Sequence, residues 1–182
     1  MLNLPNFLSV ARILFVPLFT ILLINQLFGW ALLVFLAAAV SDAVDGLLAR
    51  LLQQRTILGS YLDPAADKLL TASSFITLAI LNILPGWLAV VVISRDVIIC
   101  LGIMILYWTS HALKIRPTLA SKITTVLQFC TVIVALLSKP PSFATFLIDF
   151  LIWGTAVATV VSGLQYIGKG IKLFNHGNDG IL

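Results

Sequence analysis

The 182-residue sequence contains no glutamate, so all seven of its acidic side chains are aspartates. It has only two cysteines and two histidines, and charged residues of either sign make up 10% of it. Each shortage excludes something. Cys100 and Cys130 stand inside apolar stretches with no Cys-x-x-Cys spacing and no histidine beside them, so neither a disulfide framework nor a zinc site is expected. His111 and His176 are isolated near expected helix ends, from which an amphipathic side chain reaches water. A soluble domain carries roughly 25% charged residues. This chain is instead 60% hydrophobic with a mean hydropathy of +1.11. One core could not bury so many apolar side chains, because a domain near this size still exposes about 30% of its unfolded surface. Lipid is therefore the expected solvent. The formal charge of +4 comes without any run of basic residues, and nucleic acid is not expected as a partner.

What is present is a series of apolar runs separated by polar or Gly/Pro punctuation. They predict spans at Leu8–Asn25, Gly29–Ala49, Leu62–Leu84, Trp87–Trp108, Leu119–Leu137 and Phe143–Ile167. A lipid-crossing helix takes about 20 residues, so six fill the chain and eight would not fit. The expectation is an all-α, polytopic integral membrane protein of six transmembrane helices, forming a single domain over residues 1–182. Asn82-Ile83-Leu84-Pro85-Gly86 and Lys139-Pro140-Pro141-Ser142 read as tight turns, and Gly168, Gly170, Gly177 and Gly180 as a tail that frays from about 168 to 182. Trp30, Trp87 and Trp108 fall at span ends, as an interfacial belt requires. Met1-Leu2-Asn3 offers no basic leader and Arg12 lies inside the first apolar run, so that span reads as retained.

Lys and Arg mark the cytoplasmic side of a membrane protein. Six spans place Arg12, Arg50, Arg55, Lys68, Lys114, Arg116, Lys122, Lys169 and Lys172 on one side and only Lys139 on the other. Both termini are therefore expected to be cytoplasmic. An error of one helix in the count would scramble this division.

Four of the seven aspartates, Asp42, Asp45, Asp63 and Asp67, fall within 26 positions at the cytoplasmic ends of the second and third spans. At about 100° per residue, Asp42, Asp45, Gly46, Ala49 and Arg50 share an arc of about 140°, and Gly59, Asp63 and Asp67 one of about 80°. Each helix thus offers one polar face of small residues, and a short loop can bring the two faces opposite each other. An intramembrane Asp costs about 2.5–3.5 kcal/mol. Four together would cost about 10 kcal/mol, comparable to the stability of a whole domain. They need cations. Carboxylate oxygens without His or Cys select Mg²⁺, Mn²⁺ or Ca²⁺. Two such ions between the helices would imply phosphate chemistry, in which metals bridge phosphoryl oxygens and stabilise a leaving group. The small residues on these faces can serve either helix packing or the close approach of a bulky ligand.

The pattern Asp42-x2-Asp45-Gly46-x2-Ala49-Arg50-x8-Gly59-x3-Asp63-x3-Asp67 resembles the signature of the CDP-alcohol phosphatidyltransferases at every fixed position and in both spacings. Pro5-Asn6-Phe7-Leu8-Ser9-x2-Arg12 resembles the opening segment of that family. Leu62-Asp63-Pro64-x2-Asp67-Lys68 is similar to its glycerophospholipid branch, and Ile93-Ser94-Arg95-Asp96 and Ser121-Lys122 to its later spans. The resemblance implies that Asp42, Asp45 and Asp63 ligate Mg²⁺ or Mn²⁺, as two ions, with Asp67 at the second metal and acting as general base. It implies that Gly46, Ala49, Arg50 and Gly59, with Asn6, line the site for the CDP moiety. The implied reaction is attack of an acceptor hydroxyl on the phosphorus that carries the diacylglycerol of CDP-diacylglycerol, with CMP leaving. A bacterial inner membrane with the site facing the cytoplasm, and a homodimer, belong to the same resemblance.

Arg95 and Asp96 sit inside the fourth span, where an ion pair and a role in binding an acceptor phosphate both fit. Lys122 fits both an anchoring role and an acceptor-phosphate role. Glycerol 3-phosphate, giving phosphatidylglycerol phosphate, is the acceptor placed first. Ser94-Arg95-Asp96-Val97 and Arg116-Pro117-Thr118-x2-Ser121-Lys122 resemble the CMP-forming cardiolipin synthases, which makes phosphatidylglycerol the alternative acceptor. A metal-ion transporter would spread carboxylates along a path through several helices, and a membrane prenyltransferase would carry two separated Asp-rich motifs on a longer chain. One cluster at one end of two helices fits neither.

Overall fold

The computed structural model describes the backbone of residues 4–51, 57–108, 119–137 and 145–178, and the side chains of residues 13–41, 66–102, 104, 119–137 and 146–170. The described residues form six helices and the turns at 25–27 and 81–85: α1 Leu4–Ile24, α2 Phe28–Leu51, α3 Ile57–Ile80, α4 Gly86–Trp108, α5 Leu119–Leu137 and α6 Thr145–Asn178. The six helices follow the six apolar runs. Their ends differ where local backbone chemistry overrides hydropathy.

Two of those ends are closed by the same device. At the end of α1, Gln26 takes a left-handed φ of 57°. The Leu27 amide donates back to the Leu22 carbonyl at 2.9 Å, and the Gln26 amide to the Leu23 carbonyl at 2.9 Å. At the end of α3, Asn82 has φ 56°. There the Ile83 amide donates to the Leu78 carbonyl at 2.9 Å and the Asn82 amide to the Ala79 carbonyl at 3.0 Å. This is the Schellman arrangement, which satisfies the last carbonyls of a helix and reverses the chain. It is why α3 stops at Ile80 while the apolar run continues to Leu84. The turn expected at 82–86 is present; the one expected at 139–142 lies outside the described residues.

Connections this short make α1–α2 and α3–α4 antiparallel neighbours. Among the described residues, α1 packs on both α2 and α3, α3 on α4 and α5, α2 on α5, and α6 on α4 and α5. The core runs through all six helices. Phe19, Leu23, Ala31, Phe35, Leu70, Phe75, Leu78, Leu88, Val92, Val132 and Ala156 are buried in it. Phe35 joins the halves, its ring centroid lying 5.6 Å from that of Phe19 and 5.1 Å from that of Phe129. The outer surface is apolar as well: Leu14, Ile21, Trp30, Val40, Ile80, Val90, Phe146, Phe150 and Trp153 all face outward. Among the described residues, two helical stretches, Leu119–Leu137 and Phe146–Gly170, are long and apolar enough to cross a membrane. The apolar segments Ile13–Ile24 and Phe28–Ser41 are shorter.

The tail expected to fray from residue 168 instead continues α6 to Asn178. Gly168 and Gly170 each weaken a helix by roughly 1 kcal/mol. They alternate with Lys169, Ile171 and Lys172 and no proline follows, so nothing sterically stops the helix. Cys100 is exposed and Cys130 half-buried, and both are free thiols.

Phe35→Ala is expected to destabilise the protein by about 3–5 kcal/mol through loss of burial and the cavity left behind. Leu33→Ala, at an exposed position two residues away, should stay within about 0.5 kcal/mol. Thermal unfolding of the purified variants in one detergent checks the contrast.

Candidate functional site

The backbone sets Asp42, Asp45, Gly46, Ala49 and Arg50 in the last turns of α2, and Gly59, Asp63 and Asp67 in the first turns of α3. Asn6 lies in the first turn of α1. The helical spacing that puts each set on one face is therefore present. The side chains of Asn6, Asp42, Asp45, Gly46, Ala49, Arg50, Gly59 and Asp63, and with them the apposition of the two aspartate faces, lie outside the described residues. Among the described residues no three His, Cys, Asp or Glu side chains cluster.

Asp67, Arg95 and Lys122 are described. Asp67 is half-buried on α3, and its backbone carbonyl accepts the Thr71 hydroxyl at 2.9 Å. The next residue, Lys68, extends its ammonium to Oδ1 of Asp96 on α4. The same oxygen accepts Nη1 of Arg95 at 2.7 Å. Nη2 of Arg95 then donates to Ser121 Oγ on α5 at 2.6 Å and to Ser162 Oγ on α6 at 2.8 Å. The guanidinium carbon stands 5.9 Å from the ring centroid of Tyr166, within cation–π range. The stem of Arg95 crosses Gly163, where a Cβ would meet Arg95 Cγ at 3.6 Å. One buried guanidinium thus joins α4, α5 and α6, and through Asp96 and Lys68 also α3.

Burial gives this network its weight, since Arg95 is 4% exposed and Asp96 9%. A charge removed from water this far costs several kcal/mol unless its donors are met. Among the described residues two cations share one carboxylate, so this network keeps one positive charge in excess. Among them, too, Nε of Arg95 is buried without a hydrogen-bond partner. Of the two readings of Arg95 and Asp96, the ion pair is formed, and one guanidinium donor, Nε, is left without a bond. Lys122 is exposed on α5, directly after Ser121.

The seam between α5 and α6 that holds Ser121 and Ser162 level with Arg95 is itself polar. Thr124 Oγ1 donates to a carbonyl of its own helix or to that of Ala158 across the seam, at 2.8 and 2.9 Å. Farther along, the hydroxyls of Thr131 and Thr155 meet at 2.7 Å. Interhelical hydroxyl bonds of this kind fix register where hydrophobicity cannot discriminate. Lys68 entered the sequence reading as a topology marker and as part of the Leu62–Lys68 resemblance, without a role in the site, and Ser162 and Tyr166 did not enter it. Only the demand of a buried arginine for partners could have pointed to them.

A family model described as CDP-alcohol phosphatidyltransferase matches residues 2–161. The chain is 32% identical to a CDP-diacylglycerol--glycerol-3-phosphate 3-phosphatidyltransferase of Bacillus subtilis, over 98% of this chain and 100% of the relative. It is 32% identical to a human cardiolipin synthase (CMP-forming) over 93% of this chain and 62% of that protein. It is 43% identical to a cardiolipin synthase (CMP-forming) of Streptomyces coelicolor over 58% of this chain and 52% of that protein.

A hydrogen bond to a charged group contributes about 1.5–3 kcal/mol. Ser162→Ala is expected to lower stability by that amount. Ser73→Ala, which removes only a bond to the Leu70 carbonyl on its own helix, should cost about 1 kcal/mol or less. Denaturation midpoints of the two variants check the order.

Proposed function

The chain belongs to the CDP-alcohol phosphatidyltransferase family, an enzyme family of phospholipid biosynthesis, and from that premise we propose that it transfers the phosphatidyl group of CDP-diacylglycerol to a phosphoglycerol acceptor. The observation that supports the acceptor side is the placement of Asp67. It stands one residue before Lys68, which is bonded into the buried, positively charged network of Arg95. On this reading a carboxylate base and a cationic anchor for a phosphorylated alcohol would occupy one level of the bundle.

In the proposed reaction the acceptor hydroxyl attacks the phosphorus bearing the diacylglycerol. The new P–O bond forms as the P–O bond to the CMP phosphate breaks. The hydroxyl proton goes to the Asp67 carboxylate, and CMP departs. Late proton removal in a loose phosphoryl transfer suits a base of low basicity. Asp42, Asp45, Asp63 and Asp67 would hold two Mg²⁺ or Mn²⁺ ions, an all-oxygen donor set that suits hard cations. Bound there, the ions would supply charge stabilisation for the diphosphate. Gly46, Ala49, Arg50 and Gly59, with Asn6, would bind the CDP moiety. Lys122 and the Nε–H of Arg95 are the donors for the phosphate of the acceptor.

Glycerol 3-phosphate is placed first as acceptor. What supports it is the Bacillus subtilis relative, which this chain matches over 98% of its own length and 100% of the relative's. Phosphatidylglycerol is the second reading, favoured by the cardiolipin synthases among the relatives. The apolar outer surface and the nine-to-one division of Lys and Arg support six membrane crossings with both termini in the cytoplasm. The proposed location is a bacterial inner membrane with the site facing inward, and a homodimer is proposed from the family.

Purified protein given CDP-diacylglycerol and glycerol 3-phosphate is expected to release CMP and form phosphatidylglycerol phosphate. Chelation of divalent metal should abolish the activity, and Asp67→Asn should lower kcat about 10²–10⁴-fold. CMP release with phosphatidylglycerol alone would move the assignment to the second acceptor. Release with neither acceptor would overturn the function, and uptake of divalent metal by proteoliposomes would then favour a transporter.

A further inference from the structure

We propose that Asp96 is a positioning residue for the acceptor, acting through Arg95 and Lys68; this rests on the reading of the chain as a phosphatidyltransferase with a phosphoglycerol acceptor. The guanidinium of Arg95 is a rigid planar fork, so fixing its two terminal nitrogens fixes the direction of its remaining N–H. Ser121 and Ser162 hold Nη2, and Asp96 holds Nη1. The donor so aimed is Nε, the one nitrogen of the fork that is buried without a protein partner. Without the carboxylate the fork can turn about its serine contacts, and the aim of Nε is lost.

The same oxygen of Asp96 also receives Lys68, from a different helix. Lys68 follows Asp67 directly on α3, so this carboxylate ties the turn carrying the base to the helix carrying the acceptor's donor. Asp96 therefore sets the offset between the place of the acceptor's phosphate and the place where its hydroxyl loses a proton. Its charge also limits the network to one excess cation. With none in excess a phosphate would gain no attraction, and with two unpaired cations the buried cluster would repel itself. Asp96 touches neither phosphate nor hydroxyl in this account. Its effect is carried by the groups it holds.

The test is steady-state kinetics of the purified full chain in mixed micelles, varying glycerol 3-phosphate and CDP-diacylglycerol separately. If the wild type uses phosphatidylglycerol instead, that lipid is the acceptor varied. Asp96→Asn is expected to raise KM for the acceptor at least tenfold while KM for CDP-diacylglycerol stays within twofold. Asp96→Glu, which keeps the charge, should return the acceptor KM to within threefold of wild type. Lys68→Met should raise it in the same direction, and Lys68→Met with Asp96→Asn should exceed Asp96→Asn alone by no more than twofold. KM belongs to the folded fraction, so these values do not depend on how much protein folds. If Asp96→Asn yields none, Asp96→Glu and Lys68→Met carry the test. An acceptor KM unchanged or lowered in Asp96→Asn, both KM values rising together, or Asp96→Glu no better than Asp96→Asn overturns the proposal. A wild type that transfers to neither acceptor overturns the functional reading as well, whereas an active wild type with insensitive variants overturns the role of Asp96 alone.

Discussion

A guanidinium that is almost wholly buried needs partners for most of its donors, and the arrangement of α3 to α6 follows from supplying those of Arg95. Each partner comes from a different element: a carboxylate beside it on α4, a serine on α5, a serine and an aromatic face on α6, and behind the carboxylate a lysine from α3. In an apolar surrounding such bonds are directional where packing of Leu against Leu is not. Helices that could otherwise slide by a turn at little cost are held at one height. That height is also the level of Asp67 on α3 and Lys122 on α5, the two residues between which the acceptor is proposed to lie.

The seam of hydroxyls between α5 and α6 extends the constraint along the bundle. Thr124 sits at one level of that interface and the Thr131–Thr155 pair at another, all buried. Gly163 lets the arginine stem pass close to the α6 backbone. The aromatic line Phe19, Phe35 and Phe129 fills another part of the core, where no charged side chain among the described residues is buried and volume is the operative term. The molecule thus divides its tasks: hydrogen bonds set register near the site, and interlocked rings set spacing away from it.

Much of this was legible in the sequence. Six apolar runs mapped onto six helices because a run of about 20 apolar residues has few other ways to satisfy its backbone. The aspartate spacing was legible because helical geometry makes i, i+3 and i+4 one face, and the backbone does place Asp42 and Asp45 on one helix and Asp63 and Asp67 on the next. Helix ends were less so. Gln26 and Asn82 reverse the chain without a glycine, a choice made by carbonyl satisfaction, which hydropathy does not report. The glycines of the tail misled in the other direction, since a glycine weakens a helix without forbidding it. The partners of Arg95 were the hardest part. Ser162 stands 67 positions away, and a lone serine in an apolar helix carries no mark of what it will meet.

The two Schellman turns have a mechanical consequence. Both close their hairpins at the end of the bundle away from the aspartates, about 20 Å from Asp67 by helical rise along α3. The α3–α4 hairpin is thus pinned twice, by its turn and, at the level of Asp67, by the Lys68–Asp96 ion pair. Two fixed points along one pair of helices set their angle as well as their register, so the turn of α3 that carries Asp67 cannot swing away from α4 without breaking that ion pair.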